Sequence, residues 1–212
     1  MQYNEKNTRR DYDKGGISRH DLSPNPFQQM AQWMDAAKQA NSLDATAMTL
    51  ATVDETGQPS ARVVLLKHFN DQGFCWYTNY ASRKGQQLEK NPKAALSFYW
   101  RELSRQVQIE GTVKKLSATE ADEYFHSRPL DSQISAAVSH QSQPVDSRQT
   151  MEQKAEQLKA QYKDQVPRPE TWGGYLLVPH YFEFWQGRPN RLHDRFVYLL
   201  QDGAWEIQRL QP

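Results

Sequence analysis

The chain has 212 residues, a length that suits one large domain, and 26 Lys and Arg against 25 Asp and Glu leave a net charge of +1. So even a balance excludes a protein that lives on bulk nucleic-acid phosphate, although not one with a local pocket for a small anion. A charged fraction of 24% beside 6 Trp, 10 Tyr and 8 Phe excludes wholesale disorder, and the single Cys75 excludes a disulfide framework or a multi-cysteine metal centre.

Residues 1–24 are polar and carry Arg9, Arg10, Tyr12 and Gly15-Gly16. Composition favours a tail; Tyr12 beside two arginines also suits a segment that folds over a bound anion. The remainder, 25–212, reads as one domain. Asn25 and Pro26 suit the N-cap and first position of a helix, Gln28 can complete a capping-box-like pair, and Phe27, Met30, Met34 and Ala37 recur at helical spacing. Strands follow at 47–53, 59–69 and 74–78, joined by the turns Asp54–Gly57 and Asn70–Gly73. A helical insert at 83–91 precedes strands at 94–100 and 106–116. Links this short predict antiparallel pairing in a small barrel or sandwich. Ser117 and Glu120 form a capping box that opens a helix ended by Pro129. Short and long helices are expected at 132–139 and from Asp146 to about Tyr162, the second with the apolar stripe Met151, Ala155, Leu158 and Tyr162. After a linker, strands are expected at 175–178, 181–185, 196–201 and 205–210, with Asp202-Gly203 as a hairpin turn. Cys75, in the apolar run Gly73–Tyr77, reads as a buried, inert thiol. The polar N-terminus and the lack of any run near 18 apolar residues predict a soluble, cytoplasmic protein.

Four segments stand out chemically. Ser82 as an N-cap places Arg83 and Lys84 in the first turn of a helix, where the dipole disfavours cations; a bound anion reconciles them, and a solvated basic turn is the plainer alternative. Arg62 and Lys67 bracket an apolar strand with opposite parity, so they share a site only if the strand ends or bulges, or if two ligands or subunits are involved; snorkelling surface cations fit equally. Tyr124 and Arg128 stack four apart on a helix with Ser132 near the start of the next, which suits a phosphate cradle or a capped helix corner. Arg191, His193 and Arg195, if extended, face one side, near Trp185. There is no G-x-x-x-x-G-K-[ST] loop and no strand-linked G-x-G-x-x-G, and the histidines lack metal-ligand spacing, so no metal is expected.

The stretches RVVLLK (62–67), WYTNYASRKGQQLEKNP (76–92), RQVQIEG (105–111), YFHSRPLDSQI (124–134), SHQS (139–142), FWQGRPNRLHDRF (184–196) and the late WEIQRL together resemble the pyridoxine/pyridoxamine 5'-phosphate oxidase family. The resemblance implies a fold that is mainly β with flanking helices (α+β), a split antiparallel β-barrel, and a homodimer with FMN held between subunits. It assigns flavin contacts to Arg62, Val63, Val64, Leu65, Leu66, Lys67, Tyr77, Thr78, Arg83, Lys84, Gln106, Gln141, Ser142, Trp185 and Arg195. Lys67, Tyr124, Arg128 and Ser132 match positions that grip the substrate phosphate, Arg191 and His193 lie at the reacting face, and Arg9 and Tyr12 belong to an N-terminal cover. The implied reaction oxidises pyridoxine 5'-phosphate or pyridoxamine 5'-phosphate to pyridoxal 5'-phosphate with O2. Its rivals are a split-barrel reductase for another substrate and a non-catalytic carrier. Tyr124, Arg128 and Ser132 weigh against the first, and Arg191 with His193 against the second.

Overall fold

The computed structural model describes residues 11–40 and 44–212. In chain order the elements are α1 (Pro26–Gln39), β1 (Ala47–Val53), β2 (Pro59–Leu65), β3 (His68–Asn70), β4 (Gly73–Asn79), α2 (Arg83–Lys90), β5 (Lys93–Trp100), β6 (Arg105–Lys115), α3 (Ala118–Ser127), α4 (Leu130–Val138), α5 (Arg148–Gln161), β7 (Trp172–Gln186), β8 (Asp194–Gln201) and β9 (Ala204–Leu210). The strands form one sheet in the order β2-β1-β5-β6-β7-β4-β3, with β8 beside β7 and β9 beside β8. The mainly-β class with flanking helices is as expected. Among the described residues no helix is long and apolar enough to cross a membrane.

Local chemistry sets most boundaries. Asn25 accepts a hydrogen bond from the Phe27 N–H at 2.8 Å, as an N-cap should. Gln28 does not complete a capping box; its side chain accepts from Ser23 instead. Ser117 and Glu120 do form one. Ser147, rather than Asp146, caps α5. Asp202 and Gly203 both have positive φ, the signature of a type I′ hairpin between β8 and β9.

Two strand expectations need correction. The run 59–69 breaks at Leu66-Lys67, so β2 ends before Lys67 and β3 is a short separate strand. The segments 175–178 and 181–185 are parts of one strand, β7. Residues 172–177 pair with β4 and 181–186 with β8, so Pro179, which has no N–H to donate, falls between the two ladders. β4 itself begins at Gly73, whose φ is +150° and where a Cβ would stand 2.2 Å from the Leu177 carbonyl oxygen; only glycine fits.

The chain divides into two compact units. Among the described residues, the first comprises those from 11 to 48 with 96–109 and 180–212, and the second 49–95 with 110–179. In the first, Met30, Trp33, Met34 and Ala37 of α1 are buried, and Trp33 meets Phe184 edge-on at 5.1 Å. Each fully buried side chain of this kind contributes roughly 2–3 kcal/mol. Ile17 and Leu22 are also buried there. In the second unit Leu50, Phe74, Trp76 and Leu177 are buried, and a further cluster gathers Phe125, Ile134, Val166 and Trp172. Ala155, Leu158 and Tyr162 of the α5 stripe pack against that cluster, but no residue of α5 is fully buried. Cys75 has no exposed surface, and burial pushes its thiol up to about 12, an inert group as expected.

Candidate active site

The second unit holds a cavity of about 440 Å³. Its lining includes Arg62, Lys67, Lys84 and Arg128, and no carboxylate among the described residues. Four cations without a counter-ion are costly to bring together, and a bound anion removes that cost.

β2 and α2 supply one set of donors. The Arg62 guanidinium donates to the Leu50 carbonyl at 3.0 Å, the Thr52 hydroxyl at 2.7 Å and the Ser60 hydroxyl at 2.7 Å, all neutral acceptors. Burial, and then the charge of Arg83, pull its pKa down. Ser82 caps α2 and has no exposed surface. Lys84, in the first turn, is buried; its Nζ donates to Gln141 at 2.6 Å, Thr78 at 3.1 Å and Ser82 at 3.3 Å. Burial, with the Arg62 charge second, brings its pKa down to about 8. Arg83 takes another course. Consecutive helical residues diverge by about 100°, and its exposed side chain lines a neighbouring cavity with Asp54, Glu55, Gln86, Gln87 and Lys90. The parity conflict between Arg62 and Lys67 is resolved by the strand end at Leu65; both line the main cavity.

α3, α4 and the start of β7 supply the second set. Arg128 caps the C-terminus of α3 and donates through Nη2 to the Ser132 carbonyl at 2.9 Å. Its Nη1 is buried with no partner. Tyr77 stacks on Tyr124 at 3.8 Å. Sequence reasoning assigned nothing to Asn79, Ser135, Ala136, Ser139 or Trp172, which also line the cavity. Of these only Trp172 carried a signal, a tryptophan set directly before Gly173-Gly174. Val63, Val64, Leu65, Thr78 and Gln141 also reach the lining. Leu66 is instead in the core, and Ser142, at φ 70°, is exposed.

The remaining expected residues lie in the first unit. Arg191 is not extended: it ends a 3-10 turn with φ 63°, after Asn190 at φ 57°, so it does not share a strand face with His193 and Arg195. This overturns the extended reading of 191–195; the turn Pro189–Arg191 forces the backbone into the left-handed region. His193 accepts the Arg188 backbone N–H at Nδ1, 3.0 Å away. In the neutral ring that leaves the proton on Nε2. Burial and then the Arg191 charge lower its pKa. The Tyr12 ring stands edge-on to both Trp185, at 5.5 Å, and His193, at 5.4 Å. Arg195 forms a two-point ion pair with buried Glu183, at 2.8 and 2.9 Å. Gln106 is half-buried on β6. Arg9 lies outside the described residues.

Fold and cavity define a mainly-β protein with an anion-accepting pocket beside a helix start. The model of the pyridoxamine 5'-phosphate oxidase family matches residues 34–162, and that described as the pyridoxine 5'-phosphate oxidase C-terminal dimerisation region matches 172–212. The chain belongs to this pyridoxamine 5'-phosphate oxidase family and has its split-barrel fold. A pyridoxine/pyridoxamine 5'-phosphate oxidase of Bordetella petrii is 53% identical over 96% of this chain and 97% of its own. Its counterpart in Nostoc sp. is 51% identical over 96% of each chain. Among solved structures, PhzG from Burkholderia lata, in complex with tetrahydrophenazine-1-carboxylic acid, aligns with a TM-score of 0.87 at 32% identity, over 91% of this chain and 95% of its own. A pyridoxamine 5'-phosphate oxidase-related, FMN-binding protein from Nostoc punctiforme aligns at 0.72 with 16% identity, over 90% and 100%, and shares the fold.

Proposed function

We propose that the protein is an FMN-dependent oxidase that converts pyridoxine 5'-phosphate and pyridoxamine 5'-phosphate to pyridoxal 5'-phosphate in vitamin B6 metabolism. In the alcohol route O2 takes the two electrons and two protons and leaves as H2O2; the amine route also consumes water and releases ammonia. The observation that carries this reading is the cavity with four cationic residues, two sets of donors and no carboxylate. Two phosphorylated molecules, cofactor and substrate, call for two such sets. Relatives at 51–53% identity that carry this activity in their names support it.

The donor chemistry fits FMN. Lys84 and Arg62, with Thr78 and Gln141, are suited to a terminal phosphate monoester; Arg83, which lines the neighbouring cavity, and exposed Ser142 are assigned to that phosphate by the family resemblance alone. Val63, Val64, Leu65, Leu66, Tyr77, Gln106, Trp185 and Arg195 are assigned to the rest of the flavin. Bound FMN would supply the hydride acceptor and pass electrons to O2. The protein's part is to bind and orient. Arg128, Tyr124, Ser132 and Lys67 grip the substrate phosphate, Arg128 through its unpartnered Nη1. Arg191 holds oxygen substituents as a permanent cation. His193 donates from Nε2 as a neutral ring. Tyr12, with Arg9, covers the substrate. The working unit is a homodimer, supported by the match to a dimerisation region. A cytoplasmic location fits substrates whose phosphate keeps them from crossing membranes.

Anaerobic mixing with pyridoxine 5'-phosphate tests the reading. The yellow holoprotein should bleach at once and regain colour with O2, and denaturation should release FMN and not FAD. A flavin that stays oxidised defeats the oxidase assignment.

A further inference from the structure

Arg128 poses a physical problem. A long, flexible cation must aim its donors into a cavity without a carboxylate to hold it, because a carboxylate would neutralise the charge the cavity needs. Ser132 fixes one nitrogen through its backbone carbonyl. The guanidinium carbon lies over the Trp172 indole, 4.8 Å from the ring centroid, nearer than the Phe125 ring at 5.7 Å. An aromatic face attracts the cation yet accepts none of its in-plane N–H groups, so Nη1 stays available.

Trp172 is itself held on several sides. Its ring runs nearly parallel to those of Tyr124 (4° between planes) and Tyr77 (15°), the first at 6.2 Å and the second at 5.6 Å. Its carbonyl accepts from Arg168 Nη1 at 2.7 Å, and Arg168 Nε donates to Asp122 of α3 at 2.6 Å. The strand start that carries the indole is thereby tied to the helix that carries Arg128.

We infer that Trp172 is the positioning residue for the phosphate grip: its indole sets the plane of the Arg128 guanidinium so that the free donors face the phosphate ester. This rests on the role given to Arg128 under the proposed function. The test is a double-mutant cycle on the holoenzyme, reading the Kd of pyridoxal 5'-phosphate by equilibrium titration and KM for pyridoxine 5'-phosphate. Trp172→Leu should raise both about tenfold, with kcat within about twofold, while the Kd of pyridoxal, which lacks the phosphate, stays put. Trp172→Phe, which keeps an aromatic face, should raise them by only about threefold. In an Arg128→Ala background neither change should add more than about twofold, since the group being positioned is gone. A Trp172→Leu protein with wild-type Kd and KM overturns the inference. So does a tenfold rise that persists without Arg128, which would mark a purely structural role. Should Trp172→Leu fail to fold, the Trp172→Phe cycle reads the same coupling. If Arg128→Ala alone leaves the Kd unchanged while the wild type still oxidises pyridoxine 5'-phosphate, the inference falls with the Arg128 assignment and the oxidase reading stands.

Discussion

Lys84 and His193 are both depressed by burial, and the consequences have opposite use. Burial brings the Lys84 pKa down to about 8. A phosphate dianion favours the charged amine and raises that value on binding. FMN affinity should therefore be flat below pH 8 and fall by up to tenfold per pH unit above it, until the higher pKa of the bound form is reached. Flavin titrations between pH 7 and 10 measure this; an affinity unchanged through pH 9 would remove Lys84 from the phosphate site. Lys84→Ala should weaken FMN by about 2–3 kcal/mol, with a smaller loss for Arg83→Ala, whose side chain is exposed. For His193, a pKa below the ordinary 6.5 means a neutral donor at pH 7. Lowering the pH protonates the ring at Nδ1 and breaks the bond from the Arg188 N–H. Turnover should then fall on the acid side of pH 6.5. His193→Ala should lower turnover about ten- to a hundredfold, an orienting rather than an essential acid–base contribution, with FMN occupancy retained. Arg191→Ala should damage binding and turnover together. Single-turnover flavin reduction in loaded mutants decides; wild-type rates in both would take these residues out of the site.

At the scale of the element, α2 is the piece whose placement matters most, because its first turn delivers Lys84. Gly85 lets it approach the preceding turn: a Cβ there would stand 2.0 Å from the Tyr80 carbonyl oxygen, a backbone atom that cannot swing away. Gly85→Ala should cost about 1–3 kcal/mol and lower the melting temperature by roughly 2–4 °C per kcal/mol. FMN binding should weaken beyond the stability loss, since Ser82 and Lys84 shift with the turn. An alanine variant with wild-type melting and flavin affinity would show the turn to be slack. Elements of this kind were legible in the sequence because their signals are local: Asn25, Ser82 and Ser117 are caps, and Asp202-Gly203 is a turn by its own chemistry. The cations of the cavity were legible as charges in places where charge is awkward. What escaped depends on partners distant in sequence. The unity of β7 was hidden by Gly173-Gly174 and Pro179, which read as breaks until β4 and β8 are seen to share the strand between them. The role proposed for Trp172 depends on β4 pairing with β7 and on Arg128, at the end of α3, coming over the indole. Arg191 was misread because nothing in Pro189-Asn190-Arg191 announces two consecutive left-handed residues at non-glycine positions.

At the scale of the whole molecule, β2 is the strand that calls for a cover. This strand lies at one end of the sheet order and exposes Pro59, Ala61, Val63 and Leu65, every second residue, on one face. Val63 is 67% exposed and Leu65 40%. An edge strand with an uncharged apolar row invites pairing or packing, and soluble proteins normally blunt or cover such edges. In the proposed twofold homodimer, where each subunit meets the same patch of the other, a second copy is the expected cover for this row. Val63 and Leu65 also line the cavity, beside Arg62 and Lys67. Assembly and flavin binding should therefore be coupled, because whatever buries the row also closes that wall. At micromolar concentration the holoprotein should sediment at twice the 24.7 kDa of one chain. Val63→Asp puts a charge into the covered face, where an unpaired carboxylate is costly, and a negative group beside a site built for phosphate. It should shift the protein toward monomer and release FMN in parallel, both read in one sedimentation run followed at protein and flavin wavelengths. A wild-type monomer that keeps its flavin, or a Val63→Asp dimer with full flavin occupancy, would show that this face has no part in assembly.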